Sequence, residues 1–292
     1  MKHSAISLWL LCCLLGTATL LGSCKQSGTS QPQPLNVMSF NIRLDVAVDS
    51  ANSWPYRKAN VCHMLSYYAP DLLGMQEVLP NQLADLKQGL PQYTAIGVGR
   101  DDGKDTGEYS PVFFRTDRFE LLKQGAFSLS EQPDSFGIKG WDAAYNRVAT
   151  WVILRDKLTD RQLAYFNTHL DHIGVTARRE GIRLILQKMK ELAPGLPTIL
   201  TGDFNCLPTD EPSQILEAAD MQNASKAAAI AYGPTWSFHN FGRIPVEERP
   251  LLDYIYVNGN TQVTRYRNIQ DTPENGYYSD HNPVMAEISI QK

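Results

Sequence analysis

Leu35-Asn-Val-Met-Ser-Phe-Asn41 reads as a half-buried β-strand, with apolar side chains recurring at every second position and an amide at its end. After it, Trp54 to Tyr68 has the spacing of a helix stopped by Pro70, and Asp71 to Val78 is a compact apolar run that closes on Gln76-Glu77. A second helix is predicted from Pro80 to about Leu90, with proline suited to the first turn. Further strands are predicted at Tyr93 to Val98, Ser110 to Arg115, Val148 to Arg155, Leu163 to His169, Thr198 to Gly202, Asp253 to Val257 and Pro283 to Ile290. A long helix is predicted from Val175 to Leu192, where Ile182, Ile185, Leu186 and Met189 mark one face. Helices set between some strands, with other strands joined directly, imply an α/β domain whose sheets are mixed or antiparallel.

The N-terminus has a separate logic. Lys2 and His3 precede an apolar run from Ile6 to Leu21, too short to span a bilayer comfortably and typical of a signal peptide over residues 1–23. The run ends in Leu21-Gly22-Ser23-Cys24, which resembles the lipobox of bacterial lipoproteins and implies acylation of Cys24. Residues 24–34 are rich in Gln, Ser, Gly and Pro and read as a flexible tether, which leaves residues 35–292 as one domain. The expected location is therefore exported and membrane-anchored through lipid, at the periplasm or cell surface. Cys62 and Cys206 are the only other cysteines outside the signal segment and form no disulfide framework or zinc spacing. A net charge of −4 provides no basic footprint for tracking a nucleic-acid backbone.

Acids, amides and histidines fall repeatedly where apolar runs begin or end, the position at which open sheets place ligand sites. Asn41, Glu77, His169, Asp203 with Asn205, Asp253, and Asp280-His281 all occupy such positions. A carboxylate beside a buried strand needs a partner or a metal, because desolvating it alone is costly.

Met38-Ser-Phe-Asn-Ile, Gly74-Met-Gln-Glu-Val, Asn167-Thr-His-Leu-Asp-His, Gly202-Asp-Phe-Asn, Leu252-Asp-Tyr-Ile and Ser279-Asp-His-Asn-Pro-Val together resemble the successive motifs of the endonuclease/exonuclease/phosphatase superfamily. The resemblance implies a four-layer sandwich, two mixed β-sheets packed face to face with helices outside, and magnesium- or manganese-dependent hydrolysis of phosphoesters. It implies Glu77 as the principal metal ligand, Asn41 near that metal directly or through water, and Asp280 as a ligand or a group holding one. His281 matches the catalytic histidine, Asp253 the acid orienting it, Asp203 an acid that positions or activates water, Asn205 a phosphate-holding amide, and His169 a donor to phosphate; the resemblance leaves either Asp203 or His281 as the general base. Tyr109 stands where relatives often contact phosphate. Arg43 departs from relatives that carry an acid two residues after the asparagine, which puts a second metal ligand from that strand in doubt. Asn167, His169 and Asp171 are predicted to share one face, with His172 elsewhere.

Phosphomonoesterase and phosphodiesterase activities both fit these motifs, and a small or lipid-linked substrate is favoured over duplex DNA. An extracytoplasmic nuclease is the rival enzyme, and a binding lipoprotein that has lost catalysis is the rival of another class. Retention of Glu77, Asp203, Asp253 and His281 argues for an enzyme. The loops Gly99 to Glu108, Glu131 to Asn146 and Trp236 to Pro250 are the candidate specificity segments, and no obligate protein partner is inferred.

Overall fold

The computed structural model describes residues 34–259, 261–274 and 276–291, so the signal peptide, Cys24 and all of the tether but Pro34 lie outside the described residues. In chain order the elements are β1 (Leu35–Asn41), α1 (Trp54–Tyr68), β2 (Leu72–Gln76), α2 (Pro80–Gly89), β3 (Tyr93–Ile96), β4 (Val112–Arg115), β5 (Phe119–Ser128), β6 (Val148–Asp156), β7 (Arg161–His169), α3 (Val175–Leu192), β8 (Thr198–Asp203), α4 (Glu211–Ala218), β9 (Gln222–Asn223), α5 (Ala224–Ala227), β10 (Ile230–Tyr232), β11 (Asp253–Val257), β12 (Thr261–Asn268) and β13 (Val284–Ile290). None of the described helices is long and apolar enough to cross a membrane.

One sheet runs β10-β12-β13-β1-β2-β4-β3 and the other β5-β6-β7-β8-β11-β9. Each sheet has a parallel pair joined through a helix, β1 with β2 and β7 with β8, flanked by antiparallel neighbours. Three apolar cores separate the layers. Val37, Leu72, Tyr165, Ile199 and Ile255 meet between the sheets. Met38, Phe40, Leu73 and Met75 pack with Val61 and Leu65 of α1 and Leu86 of α2. Phe166, Leu200 and Tyr254 pack with Ile182 and Ile185 of α3 and Leu216 of α4. The result is a four-layer sandwich of helices, sheet, sheet and helices.

This layering corrects the reading of β1 as half-buried. Every residue of the strand but Asn36 is buried, because Val37 points toward the second sheet while Met38 and Phe40 point into the helix layer. A strand covered on both faces has no solvent face to leave polar.

Between the sheets, the inward-facing rows change character along their length. They begin apolar and become polar at one end: Ser39 on β1, Gln76 on β2, Asn167 on β7 and Thr201 on β8. Gln76 donates to Ser39 Oγ at 3.2 Å and to Asn167 Oδ1 at 2.7 Å, and Thr201 donates to the same Asn167 oxygen at 2.9 Å. Asn167 in turn donates to the carbonyls of Met75 and Pro111 at 2.7 and 3.0 Å, stitching one sheet to the other. Gly74 makes room for this network, since a Cβ there would lie 2.2 Å from Thr201 Oγ1 and 2.4 Å from Asn167 Oδ1. These groups form a rigid, hydrogen-bonded floor.

Candidate active site

Above that floor, the last inward position of each central strand carries a functional group. In register, His169 lies beside Asp203 across β7 and β8, and Asp203 beside Asp253 across β8 and β11. Asn41 lies beside Gln76 across β1 and β2. Beyond the strand ends, Arg43, Glu77 and Asn205 all adopt positive φ, at 59°, 60° and 47°. Such conformations cost free energy outside glycine and collect at sites where side-chain direction matters.

His281 and Asp253 form a tight pair. The imidazole Nδ1 lies 2.7 Å from Asp253 Oδ2, which leaves Nε2 facing Asp203 Oδ2 at 3.7 Å. Phe238 packs its ring against the imidazole at 4.7 Å between centroids. Burial alone would lower the histidine, but the carboxylates of Asp253 and Asp203 outweigh it and hold the imidazole up at about 10. Burial, with Asp253 adding to it, pushes the Asp203 carboxyl up to about 7 against the opposing pull of His281 and Asn41. A buried acid and a histidine that are both raised above their ordinary values and face each other suit acid–base work.

On the other sheet, the Asn41 amide nitrogen donates to Glu77 Oε1 at 3.0 Å and to Asp203 Oδ2 at 2.9 Å. Its oxygen accepts from the Arg43 backbone N–H at 3.0 Å. In this orientation Asn41 positions the two acids and acts through them. The Leu44 N–H donates to Glu77 Oε2 at 3.0 Å. Arg43 pairs with Asp49 at 2.8 Å and lies 3.9 Å from Glu77 and 3.8 Å from Asp280, so its guanidinium is the counter-ion of that corner.

A cleft of about 400 Å³ opens over these groups, and His169, His172, Asn205, Arg147, Asp203, Glu77, Asp280 and His281 all line it. Asn205 Nδ2 bonds His169 Nε2 at 3.0 Å and the Leu170 carbonyl at 3.0 Å. Burial, reinforced by Arg147 and Arg100, holds His169 well below the usual histidine range, so it is neutral at neutral pH. Three placements differ from the sequence-based expectation. Asp171 does not line the cleft: β7 ends at His169, and the acid turns to accept the N–H groups of Ala144, Tyr145, Ile173 and Gly174 and the Arg147 guanidinium. His172 does line it, 3.2 Å from Arg147 and stacked on Tyr145. Tyr109 lies outside the lining, buried in the helix-side core with its hydroxyl donating to the Lys104 carbonyl at 3.1 Å. Its neighbour Glu108 lines the cleft instead, paired with Arg100 at 2.7 Å. Arg100, Glu108, Tyr145 and Phe238 carry no motif of their own, and only their membership of the polar loop segments marked them.

Comparison with known proteins bears on this geometry directly. The model of the endonuclease/exonuclease/phosphatase family matches residues 38–281. The chain belongs to that family. A family member from Bacteroides vulgatus of known structure is 42% identical, covering 89% of this chain and 100% of its own, with a TM-score of 0.86. The mannosyl-6-phosphatase of Bacteroides thetaiotaomicron is 38% identical over 87% of this chain and 99% of its own, with a TM-score of 0.82. Protein angel of Drosophila melanogaster is 28% identical over 174 residues, and the match spans 47% of that relative's length. As a member of the endonuclease/exonuclease/phosphatase family, the chain is a phosphoester hydrolase.

Enzymes of this family use divalent metals, and the cleft's donors fit one. Asp203, Asp253 and His281 bring one ligand-type atom each within 4.8 Å of one another. Within that trio, His281 Nδ1 is already engaged with Asp253, whereas Asp203 and Glu77 share the Asn41 amide at the cleft floor. Asp253 lies beneath the cleft lining, and its Oδ1 is buried with no partner among the described residues. A surplus of carboxylate oxygens over guanidinium groups suits a hard cation.

Proposed function

We propose that this family member is a divalent-metal-dependent phosphomonoesterase acting on a small substrate. The reading rests chiefly on the 38% identity to the Bacteroides thetaiotaomicron mannosyl-6-phosphatase across 87% of the chain. A cleft of about 400 Å³, with most of its lining residues polar or charged, agrees with it, being the size of one small ligand.

Glu77, with Asp280 and Asn41 beside it, would hold magnesium, or manganese in its place, which supplies charge neutralisation at the phosphoryl oxygens. The chain's own residues do the rest. Asp253 orients the His281 imidazole so that Nε2 faces Asp203, and within that pair Asp203 takes a proton from the attacking water while His281 returns one to the leaving oxygen. His169, Asn205 and Arg147 face the phosphoryl group, where fixed dipoles and charge stabilise the negative charge that grows during displacement. His169 is neutral, so it serves as a hydrogen-bond partner and not as a cation.

A panel with added magnesium tests this reading: hexose 6-phosphates and glycerol phosphate, bis(p-nitrophenyl) phosphate, plasmid DNA and RNA, at about 150 mM salt, where weak surface charge effects are screened. Inorganic phosphate release from monoesters should dominate. Plasmid or RNA cleavage more efficient by orders of magnitude than every monoester would replace the proposal with the nuclease reading.

The same proposal extends to location, with residues 1–23 as a signal peptide and Cys24 as the lipid attachment point of an exported, membrane-anchored protein. Fatty-acid labelling in cells should mark the wild type and spare Cys24→Ser; equal labelling of both would reject lipidation.

A further inference from the structure

Two of the three polar loops marked in the sequence lock to each other beside the cleft. Asn146 Nδ2 donates to Asp101 Oδ1 at 2.8 Å. Gly137, at a φ of 77°, comes so near the other loop that a Cβ would lie 2.6 Å from the Asp101 carbonyl oxygen. Across the contact, the Arg100 guanidinium sits 5.3 Å from the centre of the Tyr145 ring, whose other neighbour is His172, stacked at 5.6 Å. Asp171 holds the Tyr145 backbone from below at 3.1 Å. Arg100 also grips Glu108 with two nitrogens, at 2.8 and 2.7 Å.

The wall this makes is chemically particular. A carboxylate has about four lone-pair sites, and Arg100 occupies two of those on Glu108, so Glu108 still offers acceptors to the cleft it lines. Both side chains keep some exposure, 11% for Arg100 and 15% for Glu108, so part of the pair faces the cleft. An unsatisfied ion pair at a cleft wall is costly unless something completes its hydrogen bonds. A hydroxyl group, donor and acceptor at once, can do so. The backbone of a DNA strand cannot, because its phosphates and deoxyribose oxygens bring only acceptors and negative charge against Glu108. The apolar lining residues are Leu44, Leu252 and Phe238, and they stand among charged side chains that a long acyl chain would have to desolvate.

We infer that Arg100 and Glu108 are specificity-determining residues that receive the hydroxyl-bearing part of a phosphorylated sugar or polyol, while the phosphate lies at Asp203 and His281. This rests on the phosphomonoesterase reading and goes further by naming the alcohol. Neither residue takes part in the chemical step. Their effect therefore belongs in the discrimination between alcohols, expressed mainly in KM.

The test compares kcat/KM for a hexose 6-phosphate with that for phenyl phosphate, which has no hydroxyls, using full-length wild type, Glu108→Gln, Arg100→Lys and the lock variant Asn146→Ala. Losing a hydrogen bond to a charged group corresponds to roughly 10- to 100-fold, so the hexose-to-phenyl ratio should fall by that factor in Glu108→Gln, with the loss in KM. Arg100→Lys keeps the charge but not the fork, and should lower the same ratio by a smaller factor. Thermal midpoints near wild type establish that the variants fold; should Glu108→Gln fail to fold, Arg100→Lys and Asn146→Ala carry the comparison. Ratios unchanged from wild type, or equal losses on both substrates, would overturn the inference while leaving the phosphomonoesterase reading standing. A wild type that turns over diesters and neither monoester would overturn that reading and this inference with it.

Discussion

In the proposed mechanism Asp253 matters only while the His281 imidazole is there to be oriented. The 2.7 Å contact between them and the second acid at 3.7 Å make a functional unit, and members of such units do not contribute independently. Asp253→Ala and His281→Ala should each lower kcat by roughly three orders of magnitude, and the double substitution by no more than His281→Ala alone. Multiplying losses in steady-state kinetics would show that the two act separately. What the sequence made legible is that these side chains converge, because Asn41, His169, Asp203 and Asp253 are polar residues at the ends of apolar strands, where the inward rows of the sheets meet at one end. Tyr109 lies off the cleft lining for a simple reason. Tyr109 bridges to Val78 and Gly99 in extended backbone, so consecutive side chains point opposite ways and Glu108 takes the cleft side. The same alternation fails at Asp171 and His172, because the strand that set its phase has ended at His169.

Elements with strong local signals were readable to within a residue or two. α1 and α2 carry proline in the first turn, and α1 ends at Ala69, in left-handed conformation directly before Pro70. β5 and β12 had no such signal. Each contains a register shift, between Leu121 and Lys123 and between Val263 and Arg265, and a bulge breaks the two-residue period by which a strand is recognised. Loop locking is likewise invisible to periodicity. Asp171 joins the end of β7 to the loop before β6, and although burial opposes its ionisation, the N–H groups of Gly174, Ala144 and Ile173 and the Arg147 charge hold its carboxyl well below the usual range. A carboxyl depressed on folding contributes stability that is fully present above the unfolded value of about 3.9 and is lost as pH falls toward the folded value. Asp171→Asn should therefore be less stable than wild type by about 2 kcal/mol at pH 7, with the gap narrowing below about pH 4. Denaturant titrations at both pH values check this, and a gap that persists undiminished at low pH would assign the cost to packing instead of charge.

For the molecule as a whole, three apolar cores hold four layers together and leave one end of the inter-sheet space polar. That end is built from the C-termini of β1, β2, β7 and β8, so the rigid sheets, and not the loops, set the spacing of Asn41, Gln76, His169 and Asp203. Loops then determine what may approach. The fold was therefore legible from ordered motifs, whereas the alcohol carried by the substrate was not, since it depends on which loop side chains meet across space. In the proposed mechanism the acids at this polar end hold a divalent cation for phosphoester hydrolysis. Phosphate release from hexose 6-phosphate by the full-length protein should vanish after dialysis against a chelator and return on adding magnesium or manganese, with Glu77→Gln recovering little. Release that continues undiminished in the metal-stripped protein would contradict the account.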